Sequence, residues 1–159
     1  MKNKKNYLYF AFFLACCSLL IIFVYISPIR PVVTIKNSTS KYVYIYSGES
    51  IYGIEPEPEE VERIVKSKPE LLAPGKEIKL IASFSTLIKN DATIDIEWRV
   101  GGQYEYNSTG GGVQNYFLSS MEGGCFASID IQDGFNNAVF SDYPGWLCLK
   151  KLKRFRYKY

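Results

Sequence analysis

The sequence predicts an all-β domain, an antiparallel sandwich of immunoglobulin-like type, preceded by a single N-terminal transmembrane helix. Three observations predict this fold class. The chain begins with a long apolar run, its later part alternates apolar and polar residues over short stretches, and glycine and proline clusters separate those stretches. We expect seven or eight short strands and one short helix, and a small β-barrel is the alternative arrangement of the same strands.

The apolar run covers residues 7–26 and contains no charged side chain. As a helix it would be roughly 30 Å long, which matches the hydrocarbon core of a bilayer. The run is longer than the core of a secretory signal and does not end in a small-x-small cleavage site. We therefore expect an uncleaved signal anchor over residues 7–27. A lipoprotein signal ending at Cys16 is the competing interpretation, and lipidation of Cys16 stays open.

Basic residues flank both ends of this run, so the charge asymmetry that orients it is small: Lys2, Lys4 and Lys5 precede it, and Arg30, Lys36 and Lys41 follow it. Lys4 and Lys5 lie nearest to the apolar run, and the amino terminus adds charge, which favours an inside N-terminus. We expect a cytoplasmic stub at 1–6, an inner-membrane location and an extracytoplasmic domain at 28–159, periplasmic or extracellular. Cys125 and Cys148 would then form a disulfide in an oxidising compartment, two free buried thiols being the alternative.

The strands follow from apolar alternation and from the turns between them. In 93–100, apolar Ile94, Ile96 and Trp98 alternate with charged residues, so one face should be core and the other solvated. The other strands are expected at 32–35, 41–46, 76–84, 113–118, 125–131, 138–140 and 146–149. Glycines at 101–102, 110–112 and 123–124 are expected in turns with positive φ. The helix is expected at 58–68, because Val61, Ile64 and Val65 share one helical face.

The charge distribution narrows the classes of partner. The formal net charge is +3, but the basic residues concentrate at the two ends, and residues 6–149 carry an excess of acidic residues. Because phosphate neutralisation provides most of the affinity for nucleic acid, an acidic body argues against a nucleic-acid partner. The chain contains no histidine, which removes the commonest general base and the usual zinc ligands, so no metal or cofactor is expected.

Two groups of residues form a candidate partner surface. Strand 41–46 places tyrosines on one face, and a run of glutamates enters the expected helix; together they are Tyr42, Tyr44, Tyr46, Glu55, Glu57, Glu59, Glu60 and Glu62. Tyr104 and Tyr106 would add to the aromatic part. Aromatic residues dominate the binding energy of many protein interfaces. The alternative is that the tyrosines form a packed sheet face covered by the helix.

The tail 150–159 interleaves cations with apolar residues. The cations could contact anionic lipid head groups: Lys150, Lys151, Lys153, Arg154, Arg156 and Lys158. The same residues could instead form a last edge strand whose charges discourage edge-to-edge pairing. The sequence leaves both alternatives open.

Two function classes remain. The first is a membrane-anchored module that binds a protein, such as a toxin inhibitor of the immunity type or an accessory component of a secretion or conjugation assembly. The second is a carboxylate-dependent enzyme that acts on envelope polysaccharide, which needs two convergent carboxylates in a cleft. We expect the binding module and no catalytic residues.

Overall fold

The computed structural model describes residues 2–26, 29–135, 137–145 and 147–155, without the side chains of residues 2–8, 20, 23–26, 60 and 63–65. Within these ranges the strands are β1 (Val32–Asn37), β2 (Val43–Ile51), β3 (Glu70–Leu72), β4 (Glu77–Ile81), β5 (Ala92–Val100), β6 (Gly110–Ser119), β7 (Phe126–Ile131), β8 (Ala138–Tyr143) and β9 (Lys151–Arg154). The helices are α1 (Lys2–Ile26), α2 (Pro58–Lys66) and α3 (Phe84–Leu87), with a 3₁₀ turn at Glu105–Asn107.

The strands form two sheets, which confirms the all-β prediction of a sandwich-like fold. One sheet has four strands in the order β4-β1-β7-β8, and the other has five in the order β3-β2-β5-β6-β9. Two separate sheets form in place of the single closed barrel that was the alternative. The immunoglobulin-like connectivity stays a prediction.

The prediction that every strand pair is antiparallel is wrong at one pair, since β1 and β7 run parallel, with Val32 opposite Phe126. Parallel neighbours need a long crossover between them, and the chain between β1 and β7 supplies one because it builds most of the other sheet. Local alternation within a strand carries no information about the direction of so distant a partner. A wholly antiparallel sheet could not have been distinguished from this one by sequence pattern.

Two strand predictions were also wrong. The short β3 was missed because three residues are too few to show alternation. The strand predicted at 146–149 is absent over the described residues 147–149, and Trp146 lies outside the described residues. The tail instead begins its strand at Lys151, as the edge of the five-stranded sheet.

The core lies between the two sheets and is made by the inward side chains of both. Trp98, Ile96 and Tyr116 from the five-stranded sheet meet Ile35 and Ile129 from the other, and all five are buried. Gly112 lies in β6 directly beside the Trp98 ring, where a Cβ atom would collide with it. The turn predicted at 110–112 is therefore wrong: these glycines belong to a strand, and Gly112 makes room for the indole.

The helices were predicted in part. Helix α2 ends two residues earlier than expected, while α3 is too short to show a periodic pattern and was missed. Helix α1 includes the apolar run 7–26. Over the described part of the chain, no helix is long and apolar enough to cross a membrane. The transmembrane prediction for 7–27 is thus not confirmed, and residue 27 lies outside the described ranges.

Candidate binding surface

The outward face of the five-stranded sheet carries the predicted tyrosines. Tyr44 lies opposite Arg99, and Tyr46 lies opposite Glu97, in the antiparallel pairing of β2 with β5. Tyr44 and Tyr46 are half-buried, whereas Tyr42, just before β2, is 53% exposed. The predicted surface is therefore neither a fully packed face nor a fully solvated one.

Tyr46 is held by two neighbours on this face. Its hydroxyl donates a hydrogen bond of 2.9 Å to the backbone oxygen of Gln103. The Arg99 guanidinium lies 5.7 Å from the centroid of the Tyr46 ring. Arg99 also donates to Glu97 Oε1 from Nε at 2.9 Å and from Nη2 at 2.8 Å. The hydrogen bonds that Arg99 donates to Glu97 raise the pKa of Arg99 above its ordinary value.

The Gln103 contact places a second pair of tyrosines beside the first. The rings of Tyr104 and Tyr106 are stacked, with centroids 5.5 Å apart and planes 6° from parallel. Tyr104 is 50% exposed and Tyr106 is 85% exposed. Their loop is closed by the backbone N–H of Tyr104, which donates to Asn107 Oδ1 at 2.9 Å. We call Tyr42, Tyr44, Tyr46, Tyr104 and Tyr106 the tyrosine surface.

A groove of about 570 Å³ runs along the same sheet face from Tyr46. Ser67, just after α2, lines it together with Asp95 and Asn115 from the sheet. The end of α2 therefore lies next to the tyrosine surface. A second hollow of about 450 Å³ shares Asp95 and Asn115 with the groove, and Ile54 and Pro56 also line it.

The predicted glutamates lie in the segment before α2 and in α2 itself, and not in the sheet that carries Tyr44 and Tyr46. Glu55 lies between two residues that line the second hollow, and Glu57, Glu59 and Glu62 are exposed. Glu62 pairs with Lys66 one helical turn later. The side chain of Glu60 lies outside the described residues.

The floor shared by the two hollows is a polar cluster that sequence reasoning missed. Ser50 Oγ donates to Asp95 Oδ2 at 2.5 Å and lies 2.6 Å from Thr93 Oγ1. Asn115, opposite Asp95, has a buried Oδ1 that accepts no hydrogen bond from the described residues. Alternation in 93–100 does direct Asp95 outward, but only the strand register brings Asn115 to it.

Three carboxylates line the groove, and each already has hydrogen-bond partners of its own. Glu49 accepts hydrogen bonds from Ser83 Oγ and Thr86 Oγ1. Asp95 accepts hydroxyl hydrogen bonds, and Glu97 is held by Arg99. Among the described residues, no group of three histidine, cysteine, aspartate or glutamate side chains could hold a metal ion. The arrangement can bind a partner through aromatic rings, hydrogen bonds and negative charge.

The disulfide prediction is confirmed. Cys125 and Cys148 are bonded, with their Cα atoms 5.7 Å apart. Cys16 and Cys17 are free thiols in α1.

The candidate lipid-contact residues belong partly to β9. Lys153 Nζ lies 2.5 Å from Glu122 Oε2, and this contact lowers the pKa of Glu122. The Arg154 guanidinium lies 5.0 Å from the centroid of the Phe140 ring. Residues 151–154 therefore form the edge strand that was one of the two alternatives for the tail. Lipid contact by the tail stays a prediction, and Arg156 and Lys158 lie outside the described residues.

In comparisons with known proteins, no family model, no curated protein and no solved structure matches the chain.

Proposed function

We propose that this chain is a single-pass membrane-anchored module that binds a protein partner through the tyrosine surface on the extracytoplasmic side. The observation that carries the proposal is the stacked pair Tyr104 and Tyr106, which stays exposed although the Gln103 contact fixes its loop beside Tyr46. An ordered aromatic pair that is not used to build the core is available to a partner.

The residue types of the tyrosine surface favour a role in protein binding. Tyrosine and arginine are over-represented among the residues that dominate binding energy, because they bury a large area and keep a polar group for hydrogen bonding. The tyrosine surface supplies five such rings, and Arg99 lies beside the ring of Tyr46. Glu105 lies between Tyr104 and Tyr106 in the sequence and adds negative charge to their loop. A partner with a basic rim around an apolar centre would be complementary in charge.

The membrane anchor is the second part of the proposal. Its support is the uncharged run 7–26, which folds within α1 and exposes apolar side chains such as Phe12 and Ile21. The disulfide fits an oxidising compartment on the far side of the membrane. Two kinds of module fit this location: an inhibitor that protects the envelope against a toxin, and an accessory component of a secretion or conjugation assembly.

The test is capture of the partner from native membranes after mild crosslinking, with the full chain as bait. We expect one stoichiometric protein, and Tyr106→Ser should weaken its binding about 30-fold if Tyr106 contributes as much as a typical interface hot spot, about 2 kcal/mol. The control is Val139→Ser, which removes a half-exposed apolar side chain from the outward face of the other sheet. An equal loss of partner binding in Tyr106→Ser and Val139→Ser would contradict the proposal.

Two further readouts test the anchor and the alternative function. The full chain should stay with the membrane during alkaline extraction, and its release would contradict the anchor. Recovery of envelope glycan without any protein would favour the polysaccharide enzyme, and substitution of Asp95 by Asn would then be the first variant to assay.

A further inference from the structure

A second exposed surface lies at the opposite end of the sandwich, where the chain enters the domain after α1. Three segments meet there. The backbone N–H of Ala82 donates to the oxygen of Pro31 at 3.2 Å, and that of Leu149 donates to the oxygen of Ile29 at 2.9 Å. The segment around α3 and the segment after Cys148 therefore both contact the first residues of the domain.

These segments expose several large apolar side chains. Ile88 is 84% exposed, Leu149 60% and Phe84 55%, and Ile81 and Leu147 are about half exposed. We call Ile81, Phe84, Ile88, Leu147 and Leu149 the apolar end. A cluster of this kind is unusual on a soluble surface and indicates contact with another apolar phase.

Cations accompany the apolar end. The Arg30 guanidinium lies 4.7 Å from the centroid of the Phe84 ring, and Arg30 Nη1 donates to the oxygen of Ala82 at 3.4 Å. Lys150 Nζ donates to the backbone oxygen of Lys89 at 2.7 Å, so the exposed side chain of Lys89 belongs to the same surface. Apolar side chains with lysine and arginine beside them are typical of protein surfaces that lie on anionic membranes.

The covalent connection restricts where this surface can be. Helix α1 ends at Ile26 and the description of the domain resumes at Ile29. Three residues of fully extended chain span at most about 11 Å. If α1 is embedded in a bilayer, Ile29 must therefore lie within about that distance of the place where the helix leaves the hydrocarbon, and Leu149 of the apolar end is hydrogen-bonded to Ile29.

We infer that the apolar end rests on the head-group region of an anionic bilayer and inserts Ile88 and Leu149 into it. The inference rests on the proposed membrane anchor. It also gives the domain an orientation, because β2 runs from Val43, at the tyrosine surface, to Ile51, at the end where α3 packs. The tyrosine surface would then point away from the membrane.

The experiment measures the depth of single fluorescent labels in vesicles of phosphatidylcholine and phosphatidylglycerol that contain doxyl-labelled lipid as the quencher. The full chain carries Cys16→Ser and Cys17→Ser, with its disulfide intact, and one added cysteine labelled with bimane. The three sites are Phe12→Cys in α1, Ile88→Cys in the apolar end, and Phe135→Cys, an exposed position at the opposite end of the domain.

We expect quenching at Phe12→Cys and Ile88→Cys and none at Phe135→Cys. Adding Lys89→Gln to the Ile88→Cys protein should reduce its quenching, since one cation near an anionic surface changes affinity about fivefold. Quenching at Phe12→Cys but equally weak quenching at the other two sites would overturn the inference and leave the anchor standing. Absence of quenching at both Phe12→Cys and Ile88→Cys would overturn the anchor and the inference together.

Discussion

Tyr116 is the largest fully buried side chain of the core, and its hydroxyl has no hydrogen-bond partner among the described residues. Burial raises the pKa of this phenol, so it stays neutral over any ordinary pH range. A buried hydroxyl without a partner costs about 1 to 3 kcal/mol of desolvation. We predict that Tyr116→Phe raises the free energy of unfolding by about 1 kcal/mol, measured by chemical denaturation.

Tyr46→Phe is the matched control, because it removes the same atom from a tyrosine whose hydroxyl does have a partner. It should lower the free energy of unfolding by about 1 kcal/mol, as the Gln103 oxygen loses the nearer of its two donors and keeps only Arg99 Nη1 at 3.4 Å. If both variants changed stability in the same direction, the Tyr116 hydroxyl would have to have a partner after all.

Glu49 accepts hydrogen bonds from Ser83 N, Ser83 Oγ and Thr86 Oγ1. Burial alone would raise its pKa, but hydrogen bonds from Ser83 and Thr86 and the nearby charge of Lys89 bring the pKa below its ordinary value of 4.5. The Ser83 N–H donates at 2.6 Å and Thr86 Oγ1 at 2.6 Å, so Glu49 ties β2 to α3. The ionised form of Glu49 is therefore favoured more strongly in the folded chain than in the unfolded chain.

This shift predicts a pH dependence of stability. The contribution of Glu49 is fully present above pH 4.5 and is lost as the pH falls through the lower folded pKa. Glu49→Gln should lower the free energy of unfolding at neutral pH by about 1 to 2 kcal/mol and flatten its decline in acid. Denaturation curves between neutral and acidic pH test this, with Glu57→Gln as the control for loss of one exposed carboxylate. If the free energy of unfolding fell with pH equally in Glu49→Gln and in the unmodified chain, the role given to Glu49 would be wrong.

At the scale of single elements, β6 shows that a glycine inside a strand can be required by the side chain packed against it. A Cβ atom at Gly112 would collide with the Trp98 ring, whereas a Cβ atom at Gly48 in β2 would meet nothing within 4 Å. We predict that Gly112→Ala lowers the free energy of unfolding by about 1 to 3 kcal/mol through overpacking, and that Gly48→Ala does not lower it. Thermal unfolding of the two variants makes the comparison, and equal stabilities would show that the indole can shift at no cost.

How well an element could be predicted depended on its length and on the distance to its partner. Strand β5 and helix α2 were predicted because each carries several periods of its own pattern. Strand β3 and helix α3 were missed because they have three and four residues and depend on contacts with β2. The glycines at 110–112 were misassigned because the groups that crowd them lie elsewhere in the chain: the Gly134 backbone beside Gly110, and Trp98 beside Gly111 and Gly112.

The residues of the candidate site could likewise be predicted only where they belong to one strand. Alternation located Tyr44 and Tyr46 on one face, since both belong to a single strand. The contact between Tyr46 and Gln103, the closeness of Ser67 to the groove and the position of Asn115 opposite Asp95 all depend on how strands and loops meet. No local pattern in the sequence carries that information.

At the scale of the whole molecule, the disulfide fastens the two sheets together. Cys125 precedes β7 in one sheet and Cys148 precedes β9 in the other, and Gly124 and Leu152 exchange two backbone hydrogen bonds beside the disulfide. The two cysteines are separated by 23 positions in the sequence, for which the chain-entropy model gives about 3 kcal/mol.

We predict that replacing both Cys125 and Cys148 by Ala lowers the free energy of unfolding by about 3 kcal/mol. A reducing agent should destabilise the unmodified chain by a similar amount and leave the double variant unchanged. Replacing Cys16 and Cys17 instead should not change the denaturation midpoint. A reducing agent that acted equally on the double variant would contradict the assignment.

The parallel pairing of β1 with β7 has a consequence for how the chain acquires its structure. Strand β1 is made first among the strands, yet one of its two neighbours lies more than 90 residues further along. Until that neighbour is synthesised, one edge of β1 exposes unpaired backbone groups that can recruit another chain. Pairings over such distances also make folding slow, because the loop must close before its contacts form. A nascent or truncated chain that ends before β7 should therefore need a chaperone to escape aggregation.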